Sequence, residues 1–184
     1  MRRPRFTTAK QVFETFAPAR DDIAEDPGEA EPLAFLQLLA NGPTPEDAIS
    51  FCSYLLPRRE AVWWGCQCIR GSAPPVAECD IELLGLSEQW VKVPEEDNRR
   101  AALAAGMAAA VKSAAAWTTL AAAWSGGSMV ENPEWPVPPP NFLTAHAVRA
   151  AVLTALAQVG PKDRSRHLAA AVERAIKLID AGAP

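Results

Sequence analysis

The stretch that decides the fold lies between residues 32 and 70 and reads PLAFLQLLANGPTPEDAISFCSYLLPRREAVWWGCQCIR. It contains three helical patterns, Pro32 to Asn41, Pro45 to Leu56 and Pro57 to Arg70, with very short breaks between them. Proline is favoured in the first turn of a helix, where the backbone N–H has no partner to lose. The two acids after Pro45 also lie at the positive end of a helix dipole. Breaks this short predict antiparallel neighbouring helices.

The rest of the sequence also favours helix. Alanine makes up roughly a fifth of the residues, far above ordinary usage, and alternating runs of β-branched residues are absent. A helix begins at Pro94 and is interrupted around Lys112-Ser113, and its pattern ends at Ser125-Gly126-Gly127-Ser128. These patterns predict one all-α domain spanning residues 1–184, with about eight helices in stacked antiparallel hairpins.

Three segments flank or divide this domain. Residues 1–31 are expected to be peripheral, because Asp21 to Glu31 holds six acids and no basic residue and is predicted to be a solvated acidic linker. Residues 132–141 carry five prolines and predict an extended strut on the surface. Residues 144–182 predict a C-terminal helical hairpin. Between Gly71 and Pro94 the order weakens, leaving a helical turn or a short extended piece open.

Charge and targeting signals exclude several classes of partner. The chain has 18 basic and 22 acidic residues, a net charge of −4, which disfavours nucleic acid and anionic membranes as partners. The basic start at Arg2-Arg3 is not followed by the apolar stretch of an export signal. The best candidate for a membrane span, Ala101 to Trp124, is mostly alanine with a central lysine. We therefore expect a cytoplasmic location.

No motif for catalysis, a metal or a cofactor stands out. Cys66-Gln67-Cys68 lacks the spacing of a zinc knuckle and has no second ligand pair, so no metal and no cofactor are expected. Cysteines are frequently buried, and a core role is the favoured interpretation for them. A cysteine-dependent enzyme would need Cys66 or Cys68 beside one of the two histidines, His146 and His167.

Tryptophan is the feature that rises above background. The chain has six tryptophans beside one tyrosine. Trp63 and Trp64 cannot both point inward, because successive helix positions differ by about 100°. Internal packing is the favoured interpretation of these rings. The functional alternative is an aromatic anchor patch for another protein, formed by Trp63, Trp64, Trp124 and Trp135, with Arg58 and Arg59 at its rim.

Several of these residues also carry a resemblance. The run Leu56 to Trp64, with Trp124 to Ser128, the proline stretch and Leu143-Thr144-Ala145, resembles an uncharacterised bacterial domain family over most of the chain. Members look like small cytosolic helical proteins, some encoded near type VI secretion components. The resemblance implies an accessory, adaptor or effector-chaperone role, highlights Trp63, Trp64, Trp124, Arg58 and Arg59, and brings no catalytic residues with it.

The predicted function is therefore a non-enzymatic protein-binding adaptor or chaperone, which could serve a bacterial type VI secretion apparatus. One alternative is an immunity-type inhibitor that binds a toxin through the acidic segments, with charge steering its association. A cysteine-dependent enzyme is the weaker alternative. The sequence leaves the partner and the oligomeric state open.

Overall fold

The computed structural model describes residues 5–72, 74–130 and 134–181, and these residues form ten α-helices and no strand. The all-α prediction is thus confirmed, with two more helices than expected. The helices are α1 (Ala9–Thr15), α2 (Ala19–Asp22), α3 (Pro32–Ala40), α4 (Glu46–Leu55), α5 (Arg58–Arg70), α6 (Glu78–Lys92), α7 (Glu96–Ala108), α8 (Ala114–Ala123), α9 (Leu143–Ala157) and α10 (Pro161–Asp180).

The alanine-rich helix α8 lies at the centre of the fold. It packs against α5, α6, α7 and α9, and all its residues except Trp117 are buried. Small side chains let these helices approach closely. At Gly65 of α5, a Cβ atom would lie 3.6 Å from the side chains of both Thr118 and Val148, so α5, α8 and α9 meet there. The predicted interruption near Lys112-Ser113 separates α7 from α8.

Of the two adjacent tryptophans in α5, Trp64 is the one that points into the core, and its side chain is fully buried. Its indole Nε1–H donates a 2.8 Å hydrogen bond to the carbonyl of Ala171 in α10. The last helix is also held by its buried residues Leu168, Val172 and Ala175. Arg164 of α10 adds an ion pair with Glu46 of α4 at 3.2 Å. The helices α9 and α10 lie in the segment for which the sequence predicts a C-terminal hairpin, but α9 packs more extensively against α8 and α5 than against α10.

The N-terminal segment differs from the expectation that it is peripheral. In α1, Val12 and Phe13 are buried, and the Phe13 ring meets that of Phe35 at 6.0 Å between centroids. The helix α2 ends within the acidic stretch, at Asp22, and Ile23 and Pro27 of that stretch are buried. The acidic stretch is thus amphipathic, because these two apolar residues are buried against the domain while most of its acidic side chains face solvent. Residues 1–4 lie outside the described residues.

A polar cluster attaches α2 to the domain. Asp22 accepts a 2.5 Å hydrogen bond from the hydroxyl of Tyr54 in α4, and Arg149 of α9 lies 3.3 Å from its other oxygen. His146 Nε2 also approaches Asp22, at 3.2 Å. The side chain of Asp22 is only 13% exposed, so its charge is held by these partners rather than by bulk water. The helix α2 therefore joins α4 and α9 through one carboxylate.

This cluster predicts an alkaline limit to stability. Burial, and then the hydrogen bond to Asp22, raise the pKa of Tyr54 above its ordinary value of about 10. The unfolded chain releases this proton near pH 10 and the folded chain keeps it, so the contribution is complete below that pH and is lost as pH rises above it. Tyr54 is the only tyrosine, and tyrosinate absorbance therefore reports it alone. We expect no ionisation near pH 10 in native protein, and ordinary titration in denaturant.

The prediction would fail if Tyr54 ionised near pH 10 while circular dichroism still showed the native helix content. The variant Tyr54→Phe supplies the control, because it keeps the ring and removes the titrating group. Its stability should change less between pH 9 and pH 11 than that of the parent protein.

The region from residue 71 to 93, where the sequence pattern is weak, contains the regular helix α6. Its buried face consists of Leu84, Ser87 and Trp90, and the Ser87 hydroxyl lies 3.2 Å from that of Thr119 in α8. The serine looks like a polar interruption in the sequence, but it has a partner across the interface. Tertiary packing therefore supports a helix that the sequence pattern alone left open.

Candidate functional site

The most exposed aromatic side chain in the described chain lies in a short loop between α8 and α9. We call residues 128–130 with 134–137 the Trp135 loop. The hydroxyl of Ser128 organises it by donating to the carbonyl of Val130 at 2.9 Å and accepting from the backbone N–H groups of Val130 and Val137, each at 3.1 Å. The backbone N–H of Met129 donates to the carbonyl of Val137 at 2.8 Å. The two described arms of the loop, residues 128–130 and 134–137, are therefore bonded to each other.

The Trp135 loop presents apolar side chains to solvent. Trp135 is 73% exposed, and Val130 and Val137 are 41% and 46% exposed. An isolated exposed apolar residue needs no explanation, but a group of them on one bonded loop is typical of an interaction site. Tryptophan is also among the residues most enriched at the energetic centres of protein interfaces. Residues 136–140 of the predicted strut have no regular secondary structure, and Asn132 and Pro133 of that strut lie outside the described residues.

Two arginines hold the segment behind the loop. Arg99 of α7 is only 5% exposed, and its Nη1 donates to the carbonyls of Ala123 at 2.7 Å and Ser128 at 3.0 Å. Arg58 of α5 donates to the carbonyl of Ser125 at 2.7 Å, with a longer contact of 3.5 Å to that of Asn141. The loop is thus preorganised, which lowers the entropy that binding would cost.

The glycine at the base of the loop is required by this arrangement. Gly127 has a φ of +60°, in the left-handed region. A Cβ atom there would fall 2.6 Å from Nε of Arg99. The glycine-rich end of the α8 pattern is therefore both a helix terminator, as predicted, and the place where the Arg99 guanidinium reaches the backbone.

The six residues predicted for the aromatic patch do not form one surface. Trp64 is inaccessible, and Arg59 donates to the carbonyl of Val91 at 2.7 Å, which joins α5 to α6. Trp124 is the C-cap of α8 and is partly buried, and its carbonyl accepts from the Thr144 hydroxyl at 3.0 Å. Arg58 supports the Trp135 loop from behind. Trp135 and Arg58 are exposed and Trp63 is partly exposed, although the Arg58 guanidinium is bound to backbone carbonyls.

Trp63 borders a second surface, an open groove between α5, α6 and α10 that we call the Trp63 groove. Its volume is about 530 Å³, and its charged lining consists of Arg70, Glu88, Arg174 and Lys177. Arg70 and Glu88 are joined by two hydrogen bonds, of 2.5 Å and 2.9 Å. Sequence reasoning identified Trp63 but missed the basic residues opposite it, although the excess of lysine and arginine in the last helix was a signal.

The cysteines show where a nucleophile could lie. Cys52, Cys66 and Cys68 are buried and Cys79 is exposed. Cys68 and His167 line the same small cavity, of about 10 Å³, which is the pairing that the enzyme alternative requires. Burial, however, raises the pKa of Cys68 to about 12, so its thiol is neutral at physiological pH and a poor nucleophile.

Among residues 5–72, 74–130 and 134–181, no group of three or more potential metal ligands occurs.

This arrangement predicts the thiol chemistry of the folded protein. One thiol, that of Cys79, should react rapidly with a chromogenic disulfide, whereas the other three should react only as the protein unfolds. The reason is that burial raises the pKa of Cys52, Cys66 and Cys68 and blocks access to them. The variant Cys79→Ser should abolish the rapid phase. Rapid reaction of that variant would instead support an activated buried thiol.

The fold and these surfaces define an all-helical domain with an exposed aromatic loop and a basic groove. Residues 35–179 match a family of unknown function, DUF6931, and the chain belongs to that family. No curated protein and no solved structure matches the chain. The match fits the resemblance to an uncharacterised domain family. No helix within the described part of the chain combines the length and apolar character needed to span a membrane.

Proposed function

We propose that the protein is a non-enzymatic binding protein, an adaptor or chaperone, which engages a partner protein through the Trp135 loop. The observation that carries this proposal is the exposure of Trp135 on a loop whose backbone is fixed by Ser128 and Arg99. An exposed indole costs solubility, and a fixed loop costs conformational entropy in folding, so their combination favours a binding role. The partner would supply an apolar pocket for the ring.

The resemblance noted from the sequence directs the search for this partner. A component or effector of a bacterial type VI secretion system is the first class to be sought, with the protein acting in the cytoplasm. Neither nucleic acid nor a membrane is the proposed partner, because the net charge of −4 opposes both. This part of the proposal depends on the resemblance and not on the Trp135 loop.

The experiment compares tagged wild-type protein with Trp135→Ser after mild crosslinking in the native host. We expect one protein to be recovered with wild type and lost with the variant, and the purified pair to bind with at least about tenfold weaker affinity when Trp135 is replaced, as for an interface hot spot. Val111→Ser is the matched control, because Val111 is 76% exposed and lies in the α7–α8 connection. Equal recovery with Trp135→Ser would refute the proposed site.

The inhibitor alternative makes a different prediction. The acidic stretch presents Glu25, Asp26, Glu29 and Glu31 to solvent, and Glu29 pairs with Lys10 at 2.9 Å. A toxin held by these carboxylates would associate more slowly as salt increases. Replacing Glu25 and Asp26 by glutamine and asparagine would then weaken binding, whereas Trp135→Ser would not.

A further inference from the structure

We infer that the Trp63 groove is a second binding site, one that takes an acidic, carboxylate-rich segment of a partner polypeptide. Three of its charged side chains are cations and one is a carboxylate, in a chain whose net charge is −4. The groove is therefore locally opposite in charge to the molecule as a whole. This site lies on helices α5, α6 and α10, and the inference does not depend on the Trp135 loop.

Arg174 is the cation best placed to receive a carboxylate. Its guanidinium lies over Gly71 at the end of α5, where a Cβ atom would be 2.6 Å from its Nη2. It lines a small cavity together with Cys68, and within the part of the chain that the structure describes no carboxylate lies at ion-pair distance from it. A guanidinium has five N–H donors in a planar fork that matches a carboxylate. The guanidinium therefore lies beside the backbone of Gly71 with its donor capacity largely unused.

The neighbouring cations differ in how firmly they are held. Arg70 is bound through two hydrogen bonds to Glu88, whose side chain is only 19% exposed, so this pair forms a fixed wall. Lys177 pairs with Glu173 at 2.7 Å, but both side chains are largely exposed. Exposed pairs of this kind contribute little and exchange readily. Lys177 can therefore turn to an incoming carboxylate, and Arg174 and Lys177 lie one helical turn apart on α10.

The apolar part of the lining indicates what accompanies the carboxylate. Trp63 and Leu178 border the same groove as the cations. Pockets for small ligands normally enclose most of the ligand surface, whereas this groove is open. An extended or helical acidic segment can instead lay one apolar side chain against Trp63 and neighbouring carboxylates against Arg174 and Lys177. This combination favours a polypeptide over a small anion.

The test uses the full chain and a fluorescein-labelled peptide of glutamates around one leucine, with a glutamine counterpart of the same length. We expect saturable binding of the glutamate peptide and not of the glutamine peptide. Arg174→Gln with Lys177→Gln should weaken binding by about tenfold or more, as for loss of charged partners at an interface. Arg166→Gln is the control on the same helix, since Arg166 lies outside the groove and pairs with Asp163.

A second variant separates position from charge. Gly71→Ala keeps every cation but forces the Arg174 guanidinium to move, so it should weaken peptide binding while net charge is unchanged. Trp135→Ser should bind the peptide as wild type does, even if it loses the partner of the proposed function. The inference is overturned if neither peptide binds, if both bind equally, or if Arg166→Gln weakens binding as much as the groove variants.

Discussion

Replacing Trp64 with alanine is expected to lower the free energy of unfolding by about 3–5 kcal/mol, the range for truncating a fully buried aromatic residue. The ring is completely buried in α5 and is among the largest side chains enclosed by the core. The substitution leaves a cavity and also removes the donor that joins α5 to the carbonyl of Ala171 in α10. Urea unfolding followed by circular dichroism measures the change.

One further variant separates the lost hydrogen bond from the lost packing, and a second variant is a control at an exposed tryptophan. Trp64→Phe keeps most of the packing and removes the N–H donor, so it should cost about 1–2 kcal/mol, the value of one buried hydrogen bond with some lost volume. Trp135→Ala should change stability by no more than about 0.5 kcal/mol, as expected for an exposed position. A loss below about 1 kcal/mol for Trp64→Ala would show that this residue is not a core residue.

Replacing Arg99 with methionine is expected to cost about 2–4 kcal/mol, because removing one member of a buried polar network leaves its partners unsatisfied. The guanidinium binds the carbonyls of Ala123 and Ser128 and forms two 2.7 Å hydrogen bonds with Glu96. The Glu96 side chain is 58% exposed, so the ion pair contributes less than the two carbonyl contacts. The hydrogen bond from Arg99 also lowers the pKa of Glu96. The contribution of this ion pair to stability is therefore present at neutral pH and is lost as Glu96 becomes protonated in acid.

Besides lowering overall stability, Arg99→Met should loosen the backbone locally, at the turn that Arg99 holds. Backbone amides of residues 125–130 should exchange hydrogen faster in Arg99→Met, because the turn at Gly127 would lose the donor that holds its carbonyls. Arg100→Met is the matched control, since Arg100 is exposed on the same helix and its change should stay within about 0.5 kcal/mol. Unchanged exchange in the Arg99 variant would mean that the Trp135 loop is fixed by other contacts.

The sequence was sufficient for the helical class because proline and glycine mark the ends of several helices. Pro57 directly precedes α5, Pro161 begins α10, and Gly127 adopts the left-handed conformation expected after α8. Composition gave the wrong prediction for the acidic stretch from Asp21 to Glu31, because its many charged residues indicated a solvated linker. The position of that stretch is decided instead by the buried Ile23 and Pro27 and by the bond between Asp22 and Tyr54.

The candidate sites were only partly predictable for a related reason. Adjacent tryptophans must differ in exposure, but local geometry does not say which of Trp63 and Trp64 points inward. That choice depends on α10, which lies more than a hundred residues away in sequence and supplies the acceptor for Trp64. Likewise, Arg58 and Arg59 look like rim residues in the sequence, and distant backbone carbonyls bind them in the fold.

The central claim is that the Trp135 loop contacts a partner protein, and the most direct measurement places a photoreactive amino acid at position 135 in the native host. We expect irradiation to yield one dominant crosslinked species at position 135 and none at the control position 111, which is equally exposed. Mass spectrometry then identifies the partner. Absence of a crosslink at 135, in a variant that remains folded and expressed, would contradict the proposed binding role of the loop.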